Sequence, residues 1–362
     1  MFVFVPAGVR EIKEKTRWFR KPICKKLRGE VEFGFEIKGP TEGLKTSYPY
    51  GIHLPNNIAS QWRETEQREK LEKEIKNVAS LKPLYAVLHG IRASKARTGY
   101  KEPASETEKK FISDVGAAEY LRAAEEQISF IKYLQELGIP VVLETVAFTN
   151  FSFANGIFLP ETYLDLRVGS LNQDMLKIRN ETSCRLLVDI EHLALAQNFS
   201  QRKYTYAEIP EEIPASISEE EKMVTQEYGL FVRKGLPPVS LKLRSFKDEI
   251  KRIGAKIYHL CGTSDGKNYI ERKNGKVTSH SPITLEDKGF RKYLNIVLKQ
   301  KPEILVLEVA GSKDNPCWSD RPENVQETSF ENLCKILAEK KEAEHIDIEA
   351  LVDEKELLGF LY

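Results

Sequence analysis

Five of the six histidines, His53, His89, His192, His259 and His280, are read as lying at or just beyond the C-terminal end of a predicted strand. Carboxylates occupy the same kind of position: Glu144 lies near the end of PVVLET, Asp189 near the end of LLVDI and Glu308 in ILVLEV. Each follows at least three apolar residues, where an unpaired charge is costly to bury. No Lys or Arg is read at a matching run end, so metal ions are expected to supply the missing positive charge. Imidazole with carboxylate, without cysteine, suits zinc, iron or manganese and not a structural zinc finger. Eight potential ligands exceed the needs of one ion, which points to two or three divalent ions bridged by carboxylates. The Asp189–His192 pair, with His259 and Glu308, carries most of this expectation. His53 or His280 taken alone reads more simply as a hydrogen-bonded residue. Cys261 lies close enough to His259 to face a metal, although a small core residue is the simpler reading. His345, in the acidic KKEAEHIDIE, reads as a surface residue.

Such residues need elements to carry them. Short apolar runs recur at 2–8, 31–38, 50–54, 84–89, 140–145, 186–190, 255–260 and 304–309, mostly β-branched or aromatic on consecutive positions. That is the pattern of strands buried on both faces of a parallel sheet. Helical stretches lie between several of them: residues 59–80 are charged and amphipathic, and Ser105 with Glu108 predicts a capping box opening a helix that ends near Leu137 at Gly138. Thr328 with Glu331 predicts another helix start. Eight strands with crossover segments indicate an α/β fold, a (β/α)8 TIM barrel, with a doubly wound open sheet as the alternative. In a barrel the C-terminal strand ends share one face, and that face carries the active site. The barrel is expected to span 1–341, with a long insertion at 199–250 between the sixth and seventh strands and a helix capped by Ser218 and Glu221 inside it. The insertion reads as a lid or a partner-protein surface, or equally as a plain surface excursion. The tail 342–362 is acidic and then apolar, and reads as a docked helix.

Composition narrows the classes further. The chain has 362 residues, 41% apolar and 30% charged, enough for a full core. No run of 18 apolar residues exists, which excludes a membrane-spanning helix. The N-terminal MFVFVPAG is too short for a signal-peptide apolar region and reads as a strand. A net charge of +1 marks no global field for nucleic acid or membrane, so nucleic acid is an unfavoured partner. Five scattered cysteines form no close-spaced pair, and a reduced, cytoplasmic compartment is the expectation. Residues 10–28 carry nine Lys or Arg against two Glu, with Trp18 and Phe19 interleaved. They read as a solvated amphipathic helix, or as a basic lining that attracts an anionic partner.

The constellation resembles the xylose-isomerase-like TIM-barrel superfamily, which includes endonuclease IV, sugar epimerases and multinuclear non-haem iron oxidases. The resemblance covers all eight predicted strands and is most specific from Glu144 to His280. Its wording is closest to the methanobactin-biosynthesis type of iron oxidase, which modifies cysteines in ribosomally made peptides. LETVAFTNF, LPETYLD and NETSCRLLVDIEHLALAQN are similar to that pattern, as are IYHLCGTSDG and TSHSPI. The resemblance implies Glu144, Asp189, His192, His259, His280 and Glu308 as metal ligands, completed by His53 and His89. It also implies Glu36 as a further acidic site residue, with Glu36, Glu144 and Glu308 as the catalytic carboxylates. Three positions depart from it. His192 stands where many of these oxidases have Asn, which is nearer the endonuclease IV pattern; Thr278 replaces an Asp, and Thr263 replaces a His.

The function expected is a multinuclear, metal-dependent enzyme. The favoured reaction is oxidation of a peptide side chain, cysteine, with iron and dioxygen. The alternatives are an endonuclease IV-like phosphodiesterase and a single-metal sugar isomerase or epimerase acting on a small molecule through Glu144, Asp189, His259 and Glu308.

Overall fold

Successive side chains on a strand face opposite sides, so a barrel strand aims every second residue at the axis and the others at the surrounding helices. The structure, a computed structural model, describes residues 1–55, 58–62, 65–91, 116–145, 151–154, 157–160, 168, 172–194, 245–263, 280–311 and 322–359. The strands are β1 (Phe2–Ala7), β2 (Glu32–Lys38), β3 (Tyr50–His53), β4 (Ala86–Leu88), β5 (Val141–Glu144), β6 (Phe151–Ala154), β7 (Ile157–Pro160), β8 (Arg185–Asp189), β9 (Ile257–Leu260) and β10 (Ile304–Leu307). All but β6 and β7 close into a parallel barrel in the order β1-β10-β9-β8-β5-β4-β3-β2. The barrel strands match the eight expected runs, each end within two residues. β6 and β7 form a separate antiparallel hairpin after β5, which the apolar runs did not indicate.

Helices fill most crossovers. α1 (Ile12–Lys15) and α2 (Pro22–Lys26) follow β1, α3 (Ile58–Trp62) and α4 (Thr65–Leu81) follow β3, and α5 (Gly116–Glu136) follows β4. α6 (Asn172–Thr182) follows the hairpin, α7 (Phe246–Ile253) precedes β9, α8 (Lys288–Leu298) precedes β10 and α9 (Val325–Gly359) ends the described chain. Between β2 and β3 the chain makes a loop, 39–49, without a helix. Among the described residues no helix is long and apolar enough to cross a membrane.

Several boundaries differ from expectation. The basic stretch 10–28 is not one amphipathic helix: Pro22 starts a new one, and Trp18 and Phe19 turn inward onto Phe330 of α9. Lys21 pairs with Glu327 and Glu331, and Lys15 is buried with its Nζ 2.6 Å from the Pro6 carbonyl. Thr328 does not open the last helix, because its N–H already bonds Asn324 O at 2.9 Å; the helix begins at Val325. That helix runs unbroken through the boundary expected at 341/342. α7 starts at Phe246, inside the span assigned to the insertion, because Ser245 caps it by accepting from Asp248 N. Residues 199–244, with Ser218 and Glu221, lie outside the described residues, as do Ser105, Glu108 and Thr278. Gly138 does follow the end of α5.

The core has two parts. Outward-facing strand residues such as Val5, Ile37, Leu143 and Leu305 pack on the helices. A separate column along the axis is built from Phe4, Tyr85, Val87, Val142, Leu187, Ile257, Ile304 and Val306. The two rings in that column, Phe4 and Tyr85, stack with centroids 6.0 Å apart, and both need room from their neighbours. A Cβ on Gly34 would lie 2.5 Å from the Phe4 ring, and one on Gly51 2.3 Å from Tyr85. Glycine at these positions lets β2 and β3 pass the rings. Gly51→Ala should therefore overpack the column and cost about 1–3 kcal/mol, read as a lower denaturant midpoint with an unchanged m-value.

Candidate metal centre

The strand period of two explains where the site sits. Above the apolar column, the next inward position is Glu36 after Gly34, His53 after Gly51 and His89 after Val87. On the other side it is Glu144 after Val142, Asp189 after Leu187, His259 after Ile257 and Glu308 after Val306. One ring of apolar residues thus supports one ring of ionisable residues, across parallel registers such as Asp189 opposite His259.

Glu144 joins the ring together. Its Oε2 lies 2.8 Å from His89 Nε2 and 3.5 Å from His53 Nε2, while its Oε1 lies 3.0 Å from His259 Nδ1. His259 Nδ1 also lies 2.6 Å from Glu308 Oε2, and its Nε2 3.0 Å from Glu36 Oε2. Tyr85 donates its hydroxyl to the same Glu36 oxygen at 2.9 Å. His53 turns Nδ1 toward Leu54 O at 2.9 Å, which leaves Nε2 facing Glu144. Asp189 Oδ1 accepts from the N–H groups of Glu191 and His192 at 2.6 and 3.1 Å and so caps the helical turn 190–194. Two carboxylate oxygens, Glu36 Oε1 and Asp189 Oδ2, are buried yet accept no hydrogen bond among the described residues.

The charges are strongly coupled. Burial opposes ionisation of Glu144, but His259 and His89 outweigh it and hold the carboxyl well below its usual range. Burial likewise opposes ionisation of Glu308, and His259 and Lys38 overcome it. His259 is pushed down by burial and up, more strongly, by Glu308, Glu36 and Glu144, so the imidazole stays charged well above its ordinary value. Asp189 goes the other way: burial and the neighbouring Glu308, Glu144 and Glu191 raise its carboxyl well above the usual range. The ring therefore holds more carboxylates than its cations neutralise, and its orphaned oxygens are the donor chemistry that divalent ions take.

Two groups of donors, His53–His89–Glu144 and Glu144–Asp189–His259–Glu308, each bring their ligand atoms within 4.8 Å of one another. Of the residues expected from sequence, these two groups leave out His192 and His280. His192 gives its Nδ1 to Thr145 O at 2.7 Å and stands 3.8 Å from Glu144 Oε1. His280, against expectation, ends no strand: it returns to the face beside β9 through the Gly262–Ser281 bridge and joins Glu191 and Cys261. Strand period does not report Glu191, because its direction depends on the helical turn after β8. Thr263 is structural: its N–H and hydroxyl both go to Asp287, the N-cap of α8.

One expectation is corrected. A cation does stand at a strand end: Lys38, last residue of β2, places Nζ 2.7 Å from Glu308 Oε1 and 4.0 Å from Glu36 Oε1. Lys38 shares the inward parity of Glu36 in EFGFEIK, and its approach to Glu308 depends on a strand distant in sequence. Burial disfavours its charge, but Glu308 and Glu36 outweigh that and hold the ammonium above its usual value. Its side chain remains 36% exposed, so one partly solvated lysine offsets only part of the negative charge.

No protein-family model matches the chain, and no curated protein matches it in sequence. Among solved structures the chain is similar to a xylose isomerase domain containing protein from Salmonella typhimurium, at 11% identity and TM-score 0.45 over 93% of this chain and 97% of that one. It is similar to endonuclease IV from Thermus thermophilus at 14% identity and TM-score 0.40, over 93% and 99% of the two chains. A D-allulose 3-epimerase from Methylomonas sp. gives 11% identity and TM-score 0.37 over 92% and 86%. At these values the likeness assigns no activity, and the barrel rests on its own strand order.

Proposed function

We propose that this protein is a metalloenzyme whose centre would hold two divalent ions, one on His53, His89 and Glu144 and the other on Glu144, Asp189, His259 and Glu308. The observation that carries the reading is the division of one buried carboxylate between two donor groups, Oε2 toward His89 and Oε1 toward His259. Iron is the favoured metal, because two histidines and one carboxylate, His53, His89 and Glu144, form the set typical of non-haem iron oxygenases. Bound ions would supply Lewis acidity and electron transfer with dioxygen as oxidant. The chain's own residues do the rest. Glu36 accepts from His259 and fixes its ring, a positioning role that Tyr85 reinforces from below. Asp189 and Glu308 complete the carboxylate side, and Lys38 at the mouth pairs with Glu308. The finer reading, oxidation of a peptide cysteine, rests on the wording of residues 143–198 and 257–283.

A second reading, hydrolysis of a phosphodiester by two clustered ions, is favoured by Lys38, a half-exposed cation at the mouth suited to an anionic group. Metal analysis of protein purified without oxygen separates them. Iron at two or more ions per chain is expected, and Glu144→Gln should lose most of it while keeping the far-ultraviolet spectrum of the fold. Zinc or manganese alone would shift the choice to hydrolysis, tested on abasic duplex DNA. A single ion would favour sugar isomerisation, and no retained ion would overturn the centre.

The metal-free protein has a signed pH dependence. Glu144 and Glu308 are lowered, so their stabilising contribution is present above the ordinary carboxylate range and is lost as pH falls. His259 is raised, so its contribution is present below the ordinary imidazole value and is lost as pH rises through its elevated one. The thermal midpoint of metal-free protein should therefore fall on the alkaline side. Added divalent ions should reverse that loss, and at neutral pH their uptake should release a proton from His259, measurable in weakly buffered solution.

A further inference from the structure

Beside the Glu144 groups lies a third convergence whose donors neither of them uses. Glu191 comes from the turn after β8, Cys261 directly follows β9, and His280 begins the segment that returns to the barrel face. Glu191 Oε2 lies 3.4 Å from Cys261 Sγ and 3.2 Å from His280 Nδ1 and accepts the His280 N–H at 2.8 Å. One ligand atom from each of the three lies within 4.8 Å of the others. Glu191 and Cys261 are 1% exposed, whereas the His280 side chain is 24% exposed, so the group opens to solvent on one side only.

Three further observations bear on the group: one donor oxygen lacks a partner among the described residues, and two backbone constraints hold the geometry in place. The other Glu191 oxygen, Oε1, is buried and accepts no hydrogen bond among the described residues. His280 has a φ of 47°, uncommon for a non-glycine residue, and its backbone is tied on both sides, through its N–H to Glu191 and through its carbonyl to Ala310 N at 3.2 Å. Gly262 lets the returning segment pass close to the end of β9, since a Cβ there would lie 2.0 Å from Pro282 O.

We propose that Glu191, Cys261 and His280 form a separate binding site for one thiolate-binding divalent ion of the zinc or iron kind. One thiol, one imidazole and one carboxylate make a donor set that magnesium and calcium disfavour and that zinc, iron and cobalt accept. Three protein donors with a solvent-facing side also match the pattern in which the remaining coordination position is left to water or to an added ligand. Such an ion would sit at the rim of the barrel face, next to the Glu144 centre and sharing no donor with it.

The test is cobalt titration of the metal-free full chain. A thiolate-to-cobalt charge-transfer band in the near ultraviolet is expected, saturating at one thiolate-bound ion per chain. Cys261→Ser should abolish the band and lower uptake by one ion while the other ions still bind. Cys184→Ala, at a buried cysteine away from the group, should keep the band. Glu191→Gln should weaken the band's apparent affinity at least tenfold. Cobalt bound to the wild-type chain without a charge-transfer band overturns this site and leaves the Glu144 centre standing. A band that survives Cys261→Ser also overturns it.

Discussion

Glu144 sits fully buried at the top of an apolar column, with its two oxygens shared among imidazoles that arrive on different strands. A carboxylate in that position is expensive unless opposite charge surrounds it. His89 and His53 approach one oxygen and His259 the other, and His259 in turn touches Glu308 and Glu36. Removing any one of these partners would leave buried charge behind. The ring is therefore an interdependent unit, and its excess of carboxylate over cation makes divalent ions its natural complement.

The floor beneath the ring is as constrained as the ring itself. Phe4 and Tyr85 stack across the axis, and β2 and β3 pass them only because Gly34 and Gly51 carry no side chain. Tyr85 then reaches up to Glu36, which holds His259, which faces Glu144 and Glu308. A chain of contacts thus runs from a packing residue in the lower barrel to the donor atoms at the top. Close packing below is what fixes the angles above.

The donors divide by chemistry as well as by place. Glu144 and its partners offer nitrogen and oxygen, the set suited to iron, manganese or zinc. Glu191, Cys261 and His280 add a sulfur at the rim, between the end of β9 and the segment that returns beside it. Lys38 brings a fixed positive charge to the same face. These three features lie above one barrel end and together define what a substrate arriving there would meet.

The eight barrel strands were legible in the sequence because strands buried on both faces must be apolar on nearly every position, and the exceptions at their ends stood out. His53, His89, Glu144, Asp189, His259 and Glu308 were visible for that reason. Local pattern could not show what depends on direction or on distant contacts. Lys38 looked like an ordinary strand end, Glu191 like the middle of a turn, and Cys261 like a small core residue. Thr328 looked like a cap although Asn324 had already taken its N–H. Residue type and strand period determined which groups could ligate and which end of the barrel would carry them. Only closure of the barrel decided that Glu144 is shared, that His192 stands aside, and that His280 meets Glu191 and Cys261. Those pairings join residues far apart in sequence, and their distances are set by strand register and by packing around the axis.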